Sequence, residues 1–201
     1  MAAPNRRKTA DERRTEVLEV AAKILSTEGA AGLSLRAVAG KVGIKLASLQ
    51  YYFPTFASLV EALVQTMVLR HTEGLQLAEN ASGKSPMHDL KSALRWLAVD
   101  VPMSLEEAGL EIQFWALAQL NQEAQSALNN YHGAYVALLE KLVLKALPGL
   151  SEKDACTRAK LIASLLEGSV LFVTLDSSGE ASDADYEDLY ETALMIALQP
   201  A

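Results

Sequence analysis

The stretch that most constrains the fold of this chain is Leu33–Pro54, which reads LSLRAVAGKVGIKLASLQYYFP. Apolar residues recur at helical spacing on both sides of Gly43, and this pattern predicts two short helices joined by a sharp turn. Ser34 can cap the first helix by accepting a backbone N–H that a helix start leaves unpaired. Pro54 ends the second, since proline disfavours helical geometry at the preceding residue. The stretch therefore reads as a helix-turn-helix, whose second helix, Lys45–Tyr52, would enter a DNA major groove.

An ordinary helix corner inside a bundle has a similar pattern, so the residues after the turn carry additional weight. The run LQYYFPT, followed by a helix that resumes at Thr55, resembles the end of the recognition helix in the TetR family of transcriptional regulators. The resemblance extends from about Thr9 to Leu63, and beyond Leu63 it is only architectural. It implies a three-helix DNA-binding domain followed by a larger helical domain for ligand binding and dimerisation.

Helical periodicity continues along the chain, and no segment alternates like a half-buried strand, which predicts an all-α fold. Thr9–Glu12 is a capping box that starts the first helix, and Gly29 is placed to end it. A fourth helix is predicted from Thr55 to about Asn80, and a loop at Ser82–Pro86. Further helices are predicted at about His88–Val101, Leu105–Leu120, Gln122–Leu147, Glu152–Leu175 and Asp183–Leu198.

The charge is divided unevenly along the sequence. The 201 residues have a net charge of −7, which by itself argues against a nucleic-acid partner. Residues 1–54, however, carry nine Lys and Arg against five Asp and Glu, whereas residues 55–201 carry nine against twenty. A basic head on an acidic body predicts DNA binding at one end only. We expect a DNA-binding domain at 1–54, with a basic arm at 1–8, and a ligand-binding and dimerisation domain at 55–201.

The second helix of the motif carries side chains suited to reading DNA. Gln50 can pair bidentately with adenine, and Ser48 can also hydrogen-bond base edges. Lys45 and Arg36 are cations that can contact phosphates and set the register. Leu49 and Phe53, by their spacing, are expected to face the core of the small domain.

The TetR resemblance extends this set to residues that commonly face DNA in that family. The expected DNA-binding residues are Ser34, Arg36, Lys45, Leu46, Ser48, Gln50, Tyr51 and Tyr52. Leu46 and Gln50 depart from the family pattern, since a basic or polar residue and an aromatic residue are frequent there. Phe56 is a third departure, because many relatives carry a phosphate-binding lysine at that position.

A single helix-turn-helix contacts only a half-site, so we expect a homodimer. The last two helices are the best candidates for the interface, because they carry more apolar residues than one small core requires. In the TetR family these two helices pair with their copies in the partner. The expected interface residues are Leu161, Ile162, Leu165, Leu166, Val170, Val173, Leu189, Ala193 and Leu194.

The resemblance also implies a ligand cavity in the body, whose occupation would reorient the DNA-binding heads. Aromatic and methionine residues of the body are candidates for its lining, although each could equally be plain core. Trp115 is the foremost candidate, since the body is otherwise poor in aromatic residues. The candidates are Met67, Trp96, Met103, Phe114, Trp115, Leu117, Tyr131, Tyr135 and Phe172.

No pattern in the sequence indicates catalysis, a cofactor or a metal. The three histidines have no cysteine or carboxylate partners at metal-ligand spacing. The lone Cys156, the absence of a secretory signal and the lack of a long apolar run favour a cytoplasmic protein without a membrane partner.

The sequence thus predicts a transcriptional regulator, in particular a repressor that binds a palindromic operator as a dimer. A small apolar or amphipathic effector of unknown identity is expected to release it from the DNA. The alternatives are an activator of the same fold, an all-α adaptor that binds protein, and an enzyme in an all-α fold. A phosphate-binding loop or an activated nucleophile would support an enzyme, and neither is evident.

Overall fold

The structure is a computed structural model that describes residues 9–66, 85–100, 105–175 and 183–199. The side chains of residues 105, 106, 172–175 and 183 are outside this description. Within the described ranges every regular element is a helix and no strand occurs. The predicted all-α fold class is confirmed.

The helices follow the chain in the predicted order, and we number them α1 to α9. Their bounds are α1 Ala10–Gly32, α2 Leu35–Val42, α3 Leu46–Tyr52, α4 56–66, α5 Pro86–Arg95, a π-helical segment Trp96–Asp100, α6 Leu105–Leu120, α7 Gln122–Ala146, α8 Glu152–Leu175 and α9 Asp183–Leu198. The predicted bounds of α6, α8 and α9 are confirmed, and α7 ends one residue early. The predicted continuation of α4 to about Asn80 lies outside the described residues.

Side-chain caps fix the starts of α1 and α4. Thr9 Oγ1 accepts the backbone N–H of Glu12 at 3.2 Å, and Glu12 Oε2 accepts that of Thr9 at 2.7 Å, so the predicted capping box is confirmed. Thr55 Oγ1 accepts the Ser58 N–H at 3.1 Å. Each cap satisfies backbone donors that have no partner inside the helix.

The predicted break at Gly29 is confirmed, whereas the predicted start of α5 is wrong. The helical run of α1 is interrupted at Gly29, where φ is 70° and the backbone is non-helical, and a further short helical stretch continues to Gly32. α5 starts two residues before the predicted His88, because Ser85 Oγ accepts the His88 N–H at 3.2 Å. Pro86, expected in a loop, occupies the first helical position, where its missing N–H costs nothing.

The chain divides into two compact units. Unit 1 comprises the described parts of Met1–Gln65 and Gln113–Ala127, and unit 2 those of Thr66–Ile112 and Leu128–Ala201. Unit 1 contains the helix-turn-helix together with α4 and the adjoining ends of α6 and α7. The domain boundary expected after Pro54 stays a prediction.

The core of unit 1 is built on the apolar stripe of α1. α1 packs against α2, and α2 packs against α3. The residues of this stripe, which are Val17, Val20, Ala21, Ile24 and Leu25, are fully buried apart from Val20, which is half-buried. Completely buried side chains of α1 to α4 and their connections are Val17, Ala21, Ile24, Leu25, Val38, Leu49, Phe53, Leu59 and Val60.

The core of unit 2 joins helices from the middle and the end of the sequence. α8 packs against α9, and both α5 and the π-helical segment pack against α9. The buried cluster draws on α5, the π-helical segment, α7, α8 and α9, and it includes Leu90, Leu94, Ala98, Tyr135, Leu139, Leu142, Ala159, Ile162 and Ala193. None of the helices in the described ranges is long and apolar enough to cross a membrane.

An ion pair connects the end of α5 to the first half of α9. Arg95 Nη1 and Nη2 donate to the two carboxylate oxygens of Glu187 at 3.0 and 2.5 Å. Glu187 lies near the acidic start of α9 and is partly exposed to solvent. The hydrogen bond from Arg95 lowers the pKa of Glu187. Because the pair is exposed to solvent, its contribution to stability is small.

A buried arginine links α8 to the end of α9. Arg158 is 7% exposed, and its Nη1 donates to the backbone carbonyl of Ala197 at 2.8 Å. The last carbonyls of a helix have no partner inside the helix, and a cation there also interacts favourably with the helix dipole. The contact places the beginning of α8 beside the end of α9, so the two helices run antiparallel.

Replacing Arg158 by methionine should destabilise unit 2. Arg158→Met keeps the apolar stem but removes the only donor group of the side chain, which leaves the Ala197 carbonyl without its charged partner. The expected loss is about 1.5–3 kcal/mol in the free energy of unfolding, as for hydrogen bonds from charged groups. Urea titration followed by circular dichroism measures it. Lys160→Met, on the exposed side of the same helix, is the matched control, and an equal loss in both variants would contradict the assignment.

Candidate nucleic-acid interface

The turn between α2 and α3 has the geometry that the sequence predicted. Ser34 caps α2, its Oγ accepting the Ala37 N–H at 3.1 Å. Gly43 ends the helix in the left-handed conformation, with φ of 75° and ψ of 31°. A residue with a Cβ would be strained there, because L-residues rarely adopt positive φ. Ile44 then donates its N–H to the Ala39 carbonyl at 3.0 Å and completes the corner.

α3 separates cleanly into a buried and an exposed face. Leu49 and Phe53 are completely buried, so the prediction that they face the core is confirmed. Ser48 and Gln50 are exposed, and Tyr51 is 79% exposed, more than any other aromatic side chain among the described residues. A tyrosine this exposed contributes little to folding and is available to a partner.

The expected DNA-binding residues lie on the exposed part of this motif or at its edge. The fully exposed members of the set are Ser34, Arg36, Lys45, Ser48, Gln50 and Tyr51, and the half-buried members are Leu46 and Tyr52. Lys45 precedes the first helical residue of α3 as its N-cap, without a side-chain cap of its own. Tyr52 lies edge-to-face against Tyr51, with ring centroids 5.1 Å apart. The role of these residues on DNA stays a prediction.

Arg14 of α1 holds the end of α3, and sequence reasoning missed it. Its Nη1 donates to the carbonyl of Tyr52 at 3.3 Å, and its guanidinium carbon lies 4.5 Å from the centroid of the Phe53 ring. The arginine therefore satisfies an unpaired carbonyl at the helix end and adds a cation–π contact. Helical spacing placed Arg14 on the polar side of α1, and no local signal pairs it with a residue 38 positions later.

Four further cations of unit 1 fall into two groups. Lys41 forms an ion pair with Glu28, and Arg13 pairs with Glu16 at 2.7 Å, so four charges are balanced within the fold. Arg36 and Lys45 are exposed and form no ion pair within the part of the chain that the structure describes. These two cations flank the exposed face of α3. The basic arm expected at 1–8 lies outside the described residues.

The expected interface residues of the last two helices fall into different environments. Ile162, Leu166, Val170 and Ala193 are buried within the single chain, and as placed they leave no surface for a partner. Leu165, Leu189 and Leu194 are half-buried, and the side chain of Val173 is outside the description. Among the expected residues Leu161 is exposed, at 51%.

Further exposed apolar side chains on the same two helices were not anticipated. They are Leu171 of α8 and Met195 and Leu198 of α9, which are 42%, 62% and 37% exposed. Periodicity alone did not separate them from their buried neighbours, since both helices are apolar over more than one face.

The candidate pocket residues are spread over both units, and their role stays a prediction. Phe114 and Leu117, in unit 1, are buried, and the half-buried Trp115 has an indole Nε1 with no hydrogen-bond partner among the described residues. In unit 2, Trp96 and Tyr131 are half-buried and Tyr135 is buried. Met67, Met103 and the side chain of Phe172 are outside the description. No group of three or more metal-ligating side chains occurs in the described ranges.

Comparison with known proteins identifies proteins that share this architecture. No family model matches the chain. An uncharacterized HTH-type transcriptional regulator in the dhlA 5′ region of Xanthobacter autotrophicus is 29% identical over 182 residues, which cover 89% of this chain and 87% of that protein. A solved structure from Pseudomonas aeruginosa PAO1, assigned as a transcriptional regulator, superposes on this chain with a TM-score of 0.81 at 17% identity. The match covers 94% of this chain and 91% of that one.

A second solved structure decides the fold. It comes from Rhodococcus sp., is assigned to the TetR family of transcriptional regulators, and matches with a TM-score of 0.72 at 21% identity, over 94% of this chain and 100% of that one. The chain has the TetR fold. The resemblance inferred from the recognition helix is thereby confirmed at the level of the fold. The exposed face of α3, the second helix of the helix-turn-helix, is the candidate nucleic-acid interface.

Removing the Arg14 side chain should loosen the end of α3. In Arg14→Met the Tyr52 carbonyl and the Phe53 ring lose their cationic partner, so the amide protons of Leu49–Phe53 should exchange about tenfold faster, or ~1.4 kcal/mol. Hydrogen exchange read by NMR measures this. Arg13→Met, which breaks only a local pair with Glu16, is the control. Unchanged exchange in Arg14→Met would refute the positioning role.

Proposed function

We propose that this protein is a transcriptional regulator that reads double-stranded DNA with α3. The observation that carries the proposal is the two-faced recognition helix within a TetR fold. Leu49 and Phe53 anchor the helix in the core, while Ser48, Gln50 and Tyr51 remain exposed. The second helix of a helix-turn-helix is the element that lies in the major groove, so these exposed side chains would meet base edges.

The exposed residues would divide their work between bases and phosphates. Gln50 would pair with adenine, and the ring of Tyr51 would contact thymine methyl groups. Arg36 and Lys45, which are not neutralised by the described part of the chain, would bind phosphates, and Ser34 lies beside them at the start of α2. Phosphate contacts supply most of the affinity and its salt dependence, whereas base contacts supply the sequence preference.

The proposed roles of the two segments of the chain follow from this placement. The head, residues 1–54, would bind DNA, and the body, residues 55–201, would bind a ligand and a second copy. The net charges of the two segments support the assignment, since the head is basic and the body acidic. An acidic body is repelled by DNA, which would leave only the head in contact with it.

Dimerisation would use the exposed apolar residues of α8 and α9. Leu161 and Leu171 of α8 and Met195 and Leu198 of α9 expose large apolar side chains. Leu161 and Leu171 are ten residues apart and so are separated by about 80° around α8, and the antiparallel pairing sets Leu161 close to the end of α9. A face of this kind on two packed helices is covered when it meets its own copy, as in a two-fold symmetric dimer.

An effector would control the regulator by preferring one arrangement of the two heads. A small apolar or amphipathic molecule that binds the body more tightly in the DNA-free arrangement would release the operator, which is repression relieved by ligand. The required coupling is modest, since a tenfold difference in affinity corresponds to about 1.4 kcal/mol.

Selection of genomic DNA fragments by the purified protein, across a series of salt concentrations, tests the proposed function. We expect enrichment of a near-palindromic site whose binding weakens steeply with salt, because phosphate contacts release counterions. The neighbouring genes would then indicate the effector. If no fragment is enriched at any salt concentration, with or without a crude metabolite extract, the head does not read DNA and a protein-binding adaptor replaces the proposal.

Two substitutions separate base reading from phosphate binding. Gln50→Ala should cost about 1–3 kcal/mol at one base pair and relax the preference there. Arg36→Ala should weaken binding to all sequences alike and reduce the salt slope by about one. Fluorescence anisotropy with a set of operator variants measures both. If Gln50→Ala distinguishes the variants as well as the unaltered protein does, Gln50 does not read bases.

Leu161→Glu should convert the dimer to a monomer and abolish tight operator binding. A carboxylate on the exposed apolar face would have to be desolvated at the interface, and that cost opposes association. Sedimentation velocity measures the oligomeric state. Leu120→Glu is the matched control, because Leu120 is 84% exposed and belongs to unit 1, whereas α8 and α9 belong to unit 2. Leu166 is unsuitable for this test because it is buried, and a dimer unchanged in Leu161→Glu would refute this interface.

A further inference from the structure

Unit 2 contains a group of polar and aromatic side chains that three helices bring together. α6 contributes Glu111, α7 contributes Tyr131, His132 and Tyr135, and α8 contributes Glu167. We call these five residues the acid–aromatic cluster. Sequence reasoning proposed the two tyrosines as pocket residues and gave no role to the other three.

Two carboxyl groups lie next to each other in this cluster, that of Glu111 buried and that of Glu167 partly buried. Glu111 is only 6% exposed, and its Oε2 has no hydrogen-bond partner among the described residues. Glu167 Oε2 is also buried, and His132 Nε2 approaches it to 3.3 Å without the alignment of a hydrogen bond. A buried polar atom without a partner is costly, so its retention in a folded protein calls for a reason.

The carboxyl groups of the acid–aromatic cluster are not neutralised by a positively charged side chain of the described residues. Burial, and after it the neighbouring carboxyl of Glu167, raise the pKa of Glu111 from 4.5 to about 8. Burial also raises the pKa values of Tyr131 and Tyr135, and the two carboxyl groups raise them further. No Lys or Arg of the described ranges forms an ion pair with Glu111 or Glu167. Two acids that face each other in a low-dielectric interior would gain most from a cation between them.

Aromatic rings are close neighbours of this acidic pair. The rings of Tyr131 and Tyr135 are nearly parallel, at 12°, with centroids 6.1 Å apart, and the Tyr131 ring lies 5.2 Å from that of His132. The faces of tyrosine rings attract cations, most strongly where water is excluded. The combination of buried carboxyl groups and tyrosine faces therefore suits a large, weakly hydrated cation better than a small hydrated one.

We propose that the acid–aromatic cluster recognises the positively charged group of an amphipathic effector, an organic cation whose apolar part packs against the tyrosine rings. This inference rests on the proposed function, and it narrows the chemical class of the effector. A divalent metal is the less suitable occupant, because no group of three or more ligating side chains within the described ranges has the arrangement to hold one.

Two probes of equal shape test the inference on the full-length protein. Trimethylphenylammonium and tert-butylbenzene differ in charge and hardly in size. We expect the cation to bind and to raise the melting temperature, and the neutral isostere to bind at least tenfold more weakly. Glu111→Gln and Glu167→Gln should each weaken binding of the cation at least tenfold while leaving binding of the isostere unaffected. Equal binding of the two probes, or no binding of the cation, would overturn the inference.

The pH dependence of binding provides a second readout. The cation favours the ionised form of Glu111, so its affinity should rise about tenfold or more between pH 6.5 and pH 9, with release of a proton measured by calorimetry. His132 lies beside Glu167 in the same cluster, and its replacement by glutamine is the control. His132→Gln should keep the pH dependence and Glu111→Gln should lose it. The opposite result would contradict the role of Glu111.

Folding of the variants can be verified independently. In the unaltered chain Glu111 holds its proton more tightly when folded than when unfolded, so its ionisation lowers stability as pH rises from about 4.5 to about 8. Glu111→Gln should hence melt at a higher temperature than the unaltered protein at pH 8.5 and at nearly the same temperature at pH 5. If a Glu111→Gln protein meets this criterion and still binds the cation as tightly as the unaltered protein does, the acid–aromatic cluster is not the binding site.

The two proposals fail separately. If an operator is selected but the cation does not bind, the regulator stands and this inference is wrong. If the cation binds through Glu111 and Glu167 but leaves operator binding unchanged, the cation site stands and the proposed ligand control is wrong.

Discussion

Helices of eight and seven residues are too short to be stable alone, and the helix-turn-helix of this molecule depends on the burial that compensates for this. Leu49 and Phe53 have no exposed surface, and α1 supplies the apolar stripe on which the core of unit 1 is built. Since isolated helices of this length are marginal in water, packing must fix the orientation of α3. Arg14 adds a hydrogen bond and a cation–π contact at the point where the helix ends. These few contacts fix the position of every side chain on the exposed face of α3.

Local signals in the sequence predicted most of the helices and the turn. Ser34, Thr9 and Gly43 have local roles, because a cap or a left-handed turn involves only neighbours in the chain. The interactions that sequence reasoning missed are all between distant residues. Arg14 reaches Tyr52, Arg95 reaches Glu187, and neither pair has a signature at any fixed spacing. The burial of Leu166 beside the exposure of Leu161 likewise depends on how α8 packs, since both residues are leucines on an apolar helix.

The acidity of the body has two physical forms. Among the residues that the structure describes, most of its carboxylates are at least partly exposed, so that water solvates them. Glu111 is different, because its carboxyl group is withdrawn from water and faces that of Glu167. A surface excess of acid follows from composition, whereas a buried pair becomes visible only when α6, α7 and α8 are assembled. The sequence could therefore predict the first form and not the second.

The π-helical segment shows how a local change of winding can decide which residues meet. Residues five apart in an α-helix are separated by about 140° around the axis, whereas i to i+5 hydrogen bonding in a π-helix brings them onto one side. Arg95 Nε and Asp100 Oδ1 are five positions apart and lie 3.8 Å from each other. Counted along the chain, the wide turn is equivalent to an inserted residue. Deleting one residue there would return the helix to regular winding and leave Arg95 and Asp100 four positions apart, still on one side of the helix. The alignment of Trp96–Asp100 against α9 is thus set by chain length as much as by chemistry.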